Sequence, residues 1–190
     1  MKHVLLTLAL VGLSDTAFAQ DWSGAYVGVQ SANSTYTNSY FNNGVFDNAP
    51  VDGGGSMTGV FAGYNHQIGN FVLGGEIAYL SGEPAYDLFP GFVYTDMLDL
   101  KARAGYSFGR LLPYAVIGWS RTEWTNGTLS PVDADGFAYG IGAEFQVTDR
   151  VLVGLEYLQR DLVADGFVEF PATNIEGDFS SVAFRIGYKF

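Results

Sequence analysis

Beyond residue 20, apolar and polar positions alternate with a period of two through eight runs of about ten residues, and none of the runs has helical spacing. In the first, Trp22 to Gln30, Ala25, Val27 and Val29 oppose Gly24, Tyr26, Gly28 and Gln30. The second, Met57 to His66, sets Val60, Ala62 and Tyr64 against Gly59, Phe61, Gly63 and Asn65. Phe71, Leu73, Ile77 and Tyr79 oppose Val72, Gly74, Glu76 and Ala78 in the third. The fourth is the clearest, with Leu98, Leu100, Ala102, Ala104 and Tyr106 against Asp99, Lys101, Arg103 and Gly105. Ala115, Ile117 and Trp119 mark one face of the fifth, and Phe137, Tyr139, Ile141, Ala143 and Phe145 one face of the sixth. Val151, Val153, Leu155 and Tyr157 do so in the seventh. The eighth, Val182 to Phe190, ends on aromatic-x-aromatic, with Arg185 and Lys189 on its other parity.

Tight turns at Ile68-Gly69-Asn70, Phe108-Gly109-Arg110 and Thr148-Asp149-Arg150 alternate with four longer polar loops. The loops run to about Gly55, from Ser81 to Val93, from Arg121 to Asp135 and from Leu162 to Asp178. Both ends of the meander then lie on the turn side. Closing it into a barrel removes its unpaired edges. The expected fold is all-β: an eight-stranded antiparallel up-and-down barrel with four long outer loops and three short turns.

Composition decides which face is inside. The chain has 25 glycines, 15 Phe and 12 Tyr but only nine Lys and Arg, few for a water-facing surface. The polar parity holds Glu76, Asp99, Glu144 and Glu156 with Lys101, Arg103, Arg160, Arg185 and Lys189, interleaved with glycine in nearly every strand. Long charged side chains beside small neighbours suit a narrow interior. On the lipid face, each basic group near the midplane would cost roughly 2 to 4 kcal/mol. Tyr64, Phe71, Tyr106, Phe145, Tyr188 and Phe190 gather at the turn-side ends of the apolar parity, and Tyr79, Trp119, Phe137, Tyr139 and Tyr157 at the loop-side ends. Two aromatic girdles around an aliphatic band indicate a transmembrane barrel, with the turns periplasmic.

Residues 1–19 read as a cleaved signal peptide: a basic start, the apolar run Val4 to Leu13, and Ala17-Phe18-Ala19 before Gln20. Residues 20–190 then form one barrel domain. No other window reaches the 18 or so apolar residues of a membrane helix. The absence of cysteine removes disulfides, thiol nucleophiles and thiolate metal sites.

Several short motifs carry a resemblance: W-S-G-A-Y-V-G (Trp22 to Gly28), G-Y-N (Gly63 to Asn65), G-G-E (Gly74 to Glu76), R-A-G-Y (Arg103 to Tyr106), L-P-Y (Leu112 to Tyr114), G-I-G-A-E (Gly140 to Glu144), E-Y (Glu156, Tyr157) and the terminal F-R-I-G-Y-K-F. In this order the chain resembles the small outer-membrane β-barrel proteins, the porin-family or surface-antigen barrels related to the OmpA and OmpX type. The resemblance implies the outer membrane of a Gram-negative bacterium. It also implies that Tyr188 and Phe190 match the signal read by the outer-membrane assembly machinery. With the chain ending at Phe190, the periplasmic peptidoglycan-binding domain of full OmpA proteins is expected to be absent.

Catalysis finds little support in the residues. Histidine occurs once beyond the leader, as His66, on the turn side and remote from outer-leaflet lipid. It reads as an interfacial ring beside Tyr64, and no catalytic, cofactor or metal residues are assigned. The interior carboxylates, each with Arg and Lys neighbours, read as a salt-bridge network, with Glu76, Glu144 or Glu156 pairing Arg103, Arg160 or Arg185. Eight strands leave an interior that side chains fill, so little conductance is expected. The net charge of −11 lies in the outer loops, where Asp47, Asp52, Glu83, Asp87, Asp96, Glu123, Asp133, Asp135, Asp161, Asp165, Glu169, Glu176 and Asp178 face only Arg121. This acidity disfavours nucleic acid. The expected function is a monomeric structural barrel and surface antigen, with outer-membrane lipid, lipopolysaccharide and the assembly machinery as partners. A small-solute porin or an adhesin acting through the acidic loops is the alternative, and a lipid-A-modifying enzyme a third reading.

Overall fold

The computed structural model describes residues 21–42, 45–46, 51–82, 84–86, 93–125, 132–164 and 173–190. The leader read from the sequence lies outside these residues. Eight long strands carry the chain: β1 (Gly24–Asn42), β2 (Val51–Ile68), β3 (Phe71–Gly82), β4 (Val93–Tyr106), β5 (Leu111–Thr125), β6 (Val132–Gln146), β7 (Val151–Ala164) and β8 (Thr173–Lys189). Each pairs antiparallel with the next, and β8 pairs with β1 from Tyr26↔Lys189 to Asn42↔Thr173, which closes the sheet. Two two-residue strands extend the outer end. Val45–Phe46 pairs with the tip of β1, and Ala85–Tyr86 bridges β2 and β4 above the shorter β3.

The stagger of the closed sheet follows from its register. Ladder partners of Trp119 lead one way through Phe137, Asp161 and Asp178 to Thr37. The other way they lead through Leu100, Ile77 and Ala62 to Val27. The two arrivals on β1 lie ten residues apart, Val27 against Thr37. That offset tilts the strands, by about 35–45° in barrels of this kind, and sets a bore that side chains can fill.

The pleat sends alternate residues outward and inward, and the usual distribution of polarity is inverted. Ile141 is 66 % and Phe71 65 % exposed, whereas Arg185 and Asp99 are each 1 % exposed. The residues of both aromatic girdles lie on the outer surface with the aliphatic band between them. Gly69 and Gly109 adopt φ of 63° and 65°, a left-handed conformation that lets the two-residue turns reverse without a Cβ penalty.

The strands differ from the sequence reading in length. β1 has 19 residues and β2 has 18, so most of the stretch between Gln30 and Gly55 read as loop is ladder. Beyond the girdle the outward residues Ser31, Asn33 and Thr35 oppose inward Ala32, Ser34 and Tyr36. With polar residues on the outer face the apolar-outward alternation is lost, although the backbone pairing does not depend on it. Leu162–Ala164 and Thr173–Asp178, also read as loop, are found in β7 and β8.

Candidate functional site

The lumen is occupied in layers. At the periplasmic mouth the segment Asp21-Trp22-Ser23 crosses the opening, and Trp22 is completely buried. Its amide donates to Gln67 Oε1 at 2.8 Å and its indole Nε1 to the Gly109 carbonyl at 3.0 Å. Gln146 Nε2 donates to the Asp21 carbonyl at 3.3 Å, and Lys189 Nζ donates to the same oxygen. The Ser23 amide, donating to Asp21 Oδ1 at 2.8 Å, holds that carboxyl below its ordinary value. Four separate elements thus fasten the start of the barrel across its own opening.

Above this stopper, behind the lipid-facing band, Glu76 on β3, Glu144 on β6 and Glu156 on β7 meet Lys101 and Arg103 on β4 and Arg185 on β8. The Lys101 ammonium bridges Glu76 at 2.7 Å and Glu156 at 2.6 Å. Arg103 reaches Glu76 at 3.0 Å and Glu144 at 2.8 Å, and Arg185 reaches Glu76 and Glu156 at 2.5 Å each. Two phenols complete the cluster: Tyr26 donates to Glu76 and Tyr114 to Glu156, both at 3.0 Å. The guanidinium carbon of Arg103 lies 3.9 Å from the centre of the Tyr114 ring, and that of Arg185 4.0 Å from that of Phe61. One level outward, Arg160 donates to both oxygens of Asp99 and to Ser181 Oγ, while Ser120 donates to Asp99 at 2.6 Å. Nearer the outer mouth Tyr36, Tyr94 and Phe179 pack together, with ring centres 4.9 to 5.8 Å apart.

Of the nine charged residues expected in the network, eight are buried and paired in the lumen. Lys189 is the correction. It keeps the inward parity but sits at the periplasmic rim, bound to the Asp21 carbonyl, because β8 ends there. Its departure leaves four acids and four bases inside, a neutral set. Arg160 pairs with Asp99 and not with a glutamate. Tyr26, Phe61 and Tyr114 were legible as inward residues, but not as parts of the cluster. Trp22 gave no signal beyond its motif; of the aromatic layer, Tyr36 lay in a stretch read as loop, and Tyr94 and Phe179 lay just past loop ends, outside the alternating runs. Glycine makes the room for these side chains. A Cβ on Gly28 would lie 2.3 Å from the Phe61 ring, and one on Gly142 would lie 2.3 Å from that of Tyr114.

Tyr188 and Phe190 lie on the outer surface with their rings edge-on at 5.3 Å, and the Phe190 amide donates to the Ala25 carbonyl at 3.0 Å. His66 is exposed on the outer wall of β2, opposite Leu73. Asp52, Asp96, Glu123, Asp133, Asp135, Asp161, Glu176 and Asp178 are exposed at the outer end, where Arg121 pairs with Asp133 at 2.5 Å. Asp47, Glu83, Asp87, Asp165 and Glu169 lie outside the described residues. No group of three potential metal ligands occurs among the described residues.

Residues 4–190 match the family described as outer membrane protein beta-barrel domain. The chain belongs to this family. It resides in the outer membrane of a Gram-negative bacterium. The 31 kDa outer-membrane immunogenic protein of Brucella melitensis biotype 1 is 25 % identical over 206 residues, spanning 89 % of this chain and 84 % of that protein. Its Brucella suis biovar 1 counterpart matches equally. Among solved structures, the outer membrane protein OprG of Pseudomonas aeruginosa superposes with a TM-score of 0.50 at 15 % identity, covering 88 % of this barrel and 96 % of OprG.

Proposed function

We propose that this barrel is a sealed, non-enzymatic structural protein of the outer membrane that displays its acidic outer loops at the cell surface as an antigen. The observation that carries the reading is the lumen itself, in which Glu76, Lys101, Arg103, Glu144, Glu156 and Arg185 are each no more than 5 % exposed. Three acids and three bases interlocked at this depth, with Trp22 beneath and an aromatic layer above, leave ions no hydrated route. The name of the Brucella relatives supports surface exposure of the loops. The exposed acids around the outer end supply a solvated, repulsive surface there. His66 faces outward at the periplasmic end, which supports an interfacial ring over an acid-base role.

In this reading the barrel is a monomer embedded in outer-membrane lipid and lipopolysaccharide. The assembly machinery reads Tyr188 and Phe190 on its last strand. Planar-bilayer recording of the refolded protein tests the seal: the expected trace lacks a sustained open state, and steady stepwise conductance overturns the reading in favour of a small-solute porin. Antibodies raised against the outer loops should label intact cells. Adhesion lost on loop deletion with the barrel still folded would move the function to that of an adhesin.

A further inference from the structure

Basic residues outside the lumen are few, and of the described ones Arg121 alone meets a carboxylate, while Arg110, Arg150 and Lys189 do not. Among the described residues Arg121 pairs with Asp133 and Lys189 is held by the Asp21 carbonyl, whereas Arg110 and Arg150 make no ion pair. Both arginines are exposed, and both occupy periplasmic turns. Arg110 Nη1 donates to the Val147 carbonyl at 3.2 Å, which ties the β4–β5 turn to the β6–β7 turn. Arg150 Nη1 donates to the Tyr188 hydroxyl at 3.0 Å, which ties that second turn to the end of β8. Main-chain bonds brace the same arc: Gln146 N to Arg110 O at 2.9 Å and Lys189 N to Arg150 O at 2.7 Å. The positions of the two side chains are therefore set by the barrel floor.

Their surroundings define the height at which they work. Phe108, Leu111, Val147, Tyr188 and Phe190 are exposed along this arc, with Phe108 at 63 % and Phe190 at 71 %. A belt of exposed rings and aliphatic groups beside guanidinium groups marks the boundary between hydrocarbon and headgroups. Each arginine spends one donor nitrogen on the protein and keeps the rest of a planar fork that fits a phosphate. Asp149 adjoins Arg150 in sequence and forms no pair with either arginine.

We propose that the arc from Arg110 to Arg150 and Tyr188 is a binding rim for the phosphate of anionic phospholipid in the periplasmic leaflet. The rim would seat the barrel at a fixed depth at its inner end, while the outer end carries the opposite charge. The test uses the full barrel refolded into phosphatidylcholine vesicles with trace spin-labelled phosphatidylglycerol or spin-labelled phosphatidylcholine. The motionally restricted fraction reports which lipid the protein retains. At low ionic strength the wild type should retain phosphatidylglycerol over phosphatidylcholine roughly fivefold, the preference expected of two partly screened basic groups. R110Q/R150Q should bring the ratio close to one, R110K/R150K should keep most of it, and R121Q at the outer end should leave it unchanged. Equal retention of the two lipids by the wild type overturns the proposal without recourse to any variant. Retention of the preference in folded R110Q/R150Q also overturns it. Displacement of labelled phosphatidylglycerol by inorganic phosphate, at matched ionic strength, would assign the rim to a free anion and remove the lipid.

Discussion

Arg160 and Asp99 reach each other across the lumen from β7 and β4 through two hydrogen bonds of 2.9 and 2.7 Å, with both side chains buried. A pair of this kind contributes little against an apolar replacement, but each partner is expensive to leave alone. Asp99→Asn and Arg160→Met should each lower unfolding stability by about 3 kcal/mol, and the double variant should recover much of that loss. Urea titration of the three variants in the same lipid measures the coupling, and simple additivity would mean that the two side chains do not act as a pair. Gly142 carries a different constraint, because a Cβ there meets the Tyr114 ring that supports Glu156. Gly142→Val should therefore displace Tyr114 and cost on the order of 1 to 3 kcal/mol, as overpacking does in well-filled interiors. Such a pairing can be narrowed in sequence only to a set of inward acids and bases. Which acid meets which base depends on the ten-residue stagger, which appears in no single strand.

At the scale of the element, parity was legible wherever one face meets lipid. β6 shows this well, since Phe137, Tyr139, Ile141, Ala143 and Phe145 point outward and Ala138, Gly140, Gly142, Glu144 and Gln146 point inward. Ile141 lies between the girdles at 66 % exposure, so Ile141→Arg should destabilise the folded barrel by about 2 to 4 kcal/mol, read as a lower urea midpoint in vesicles. Ser31→Arg on the outer part of β1, above the apolar band, should leave the midpoint nearly unchanged. The contrast between the two substitutions locates the membrane boundary. The same boundary explains why strand ends were missed. Outside the membrane the outer face meets water while the inner face stays buried, so on the outer face Ser, Thr and Asn replace the aliphatic residues that make a strand visible.

For the whole molecule, closure and filling act together. Trp22, the ion-pair layer and the Tyr36, Tyr94 and Phe179 layer lie one above another, and under the proposed seal opening a path would require disturbing more than one. Glu76 is the most connected of these groups, touching Lys101, Arg103 and Arg185 within 3.0 Å. Glu76→Lys would place four cations together, and its cost exceeds the roughly 3 to 5 kcal/mol of a broken buried pair. The expected outcome is either a loss of the heat-modifiable folded form on gels or a conducting barrel in planar bilayers. Unchanged heat stability with unchanged silence in the bilayer would show that the network contributes nothing to the seal.

By itself the sequence determined the strand count, the up-and-down order, the face turned to lipid, the girdles and, Lys189 apart, which charged residues line the interior. These are period-two properties, and each strand carries its own copy because lipid and lumen impose opposite polarity on alternate residues. Only the tertiary structure decided the rest. The stagger placed Asp99 with Arg160 and gathered three glutamates around Lys101, Arg103 and Arg185. The end of β8 put Lys189 at the rim, and the chain crossing the floor buried Trp22. Continued pairing above the membrane turned supposed loops into barrel wall. Each of these depends on contacts between residues far apart in the chain, and an alternation along one strand carries no record of the partners across the lumen.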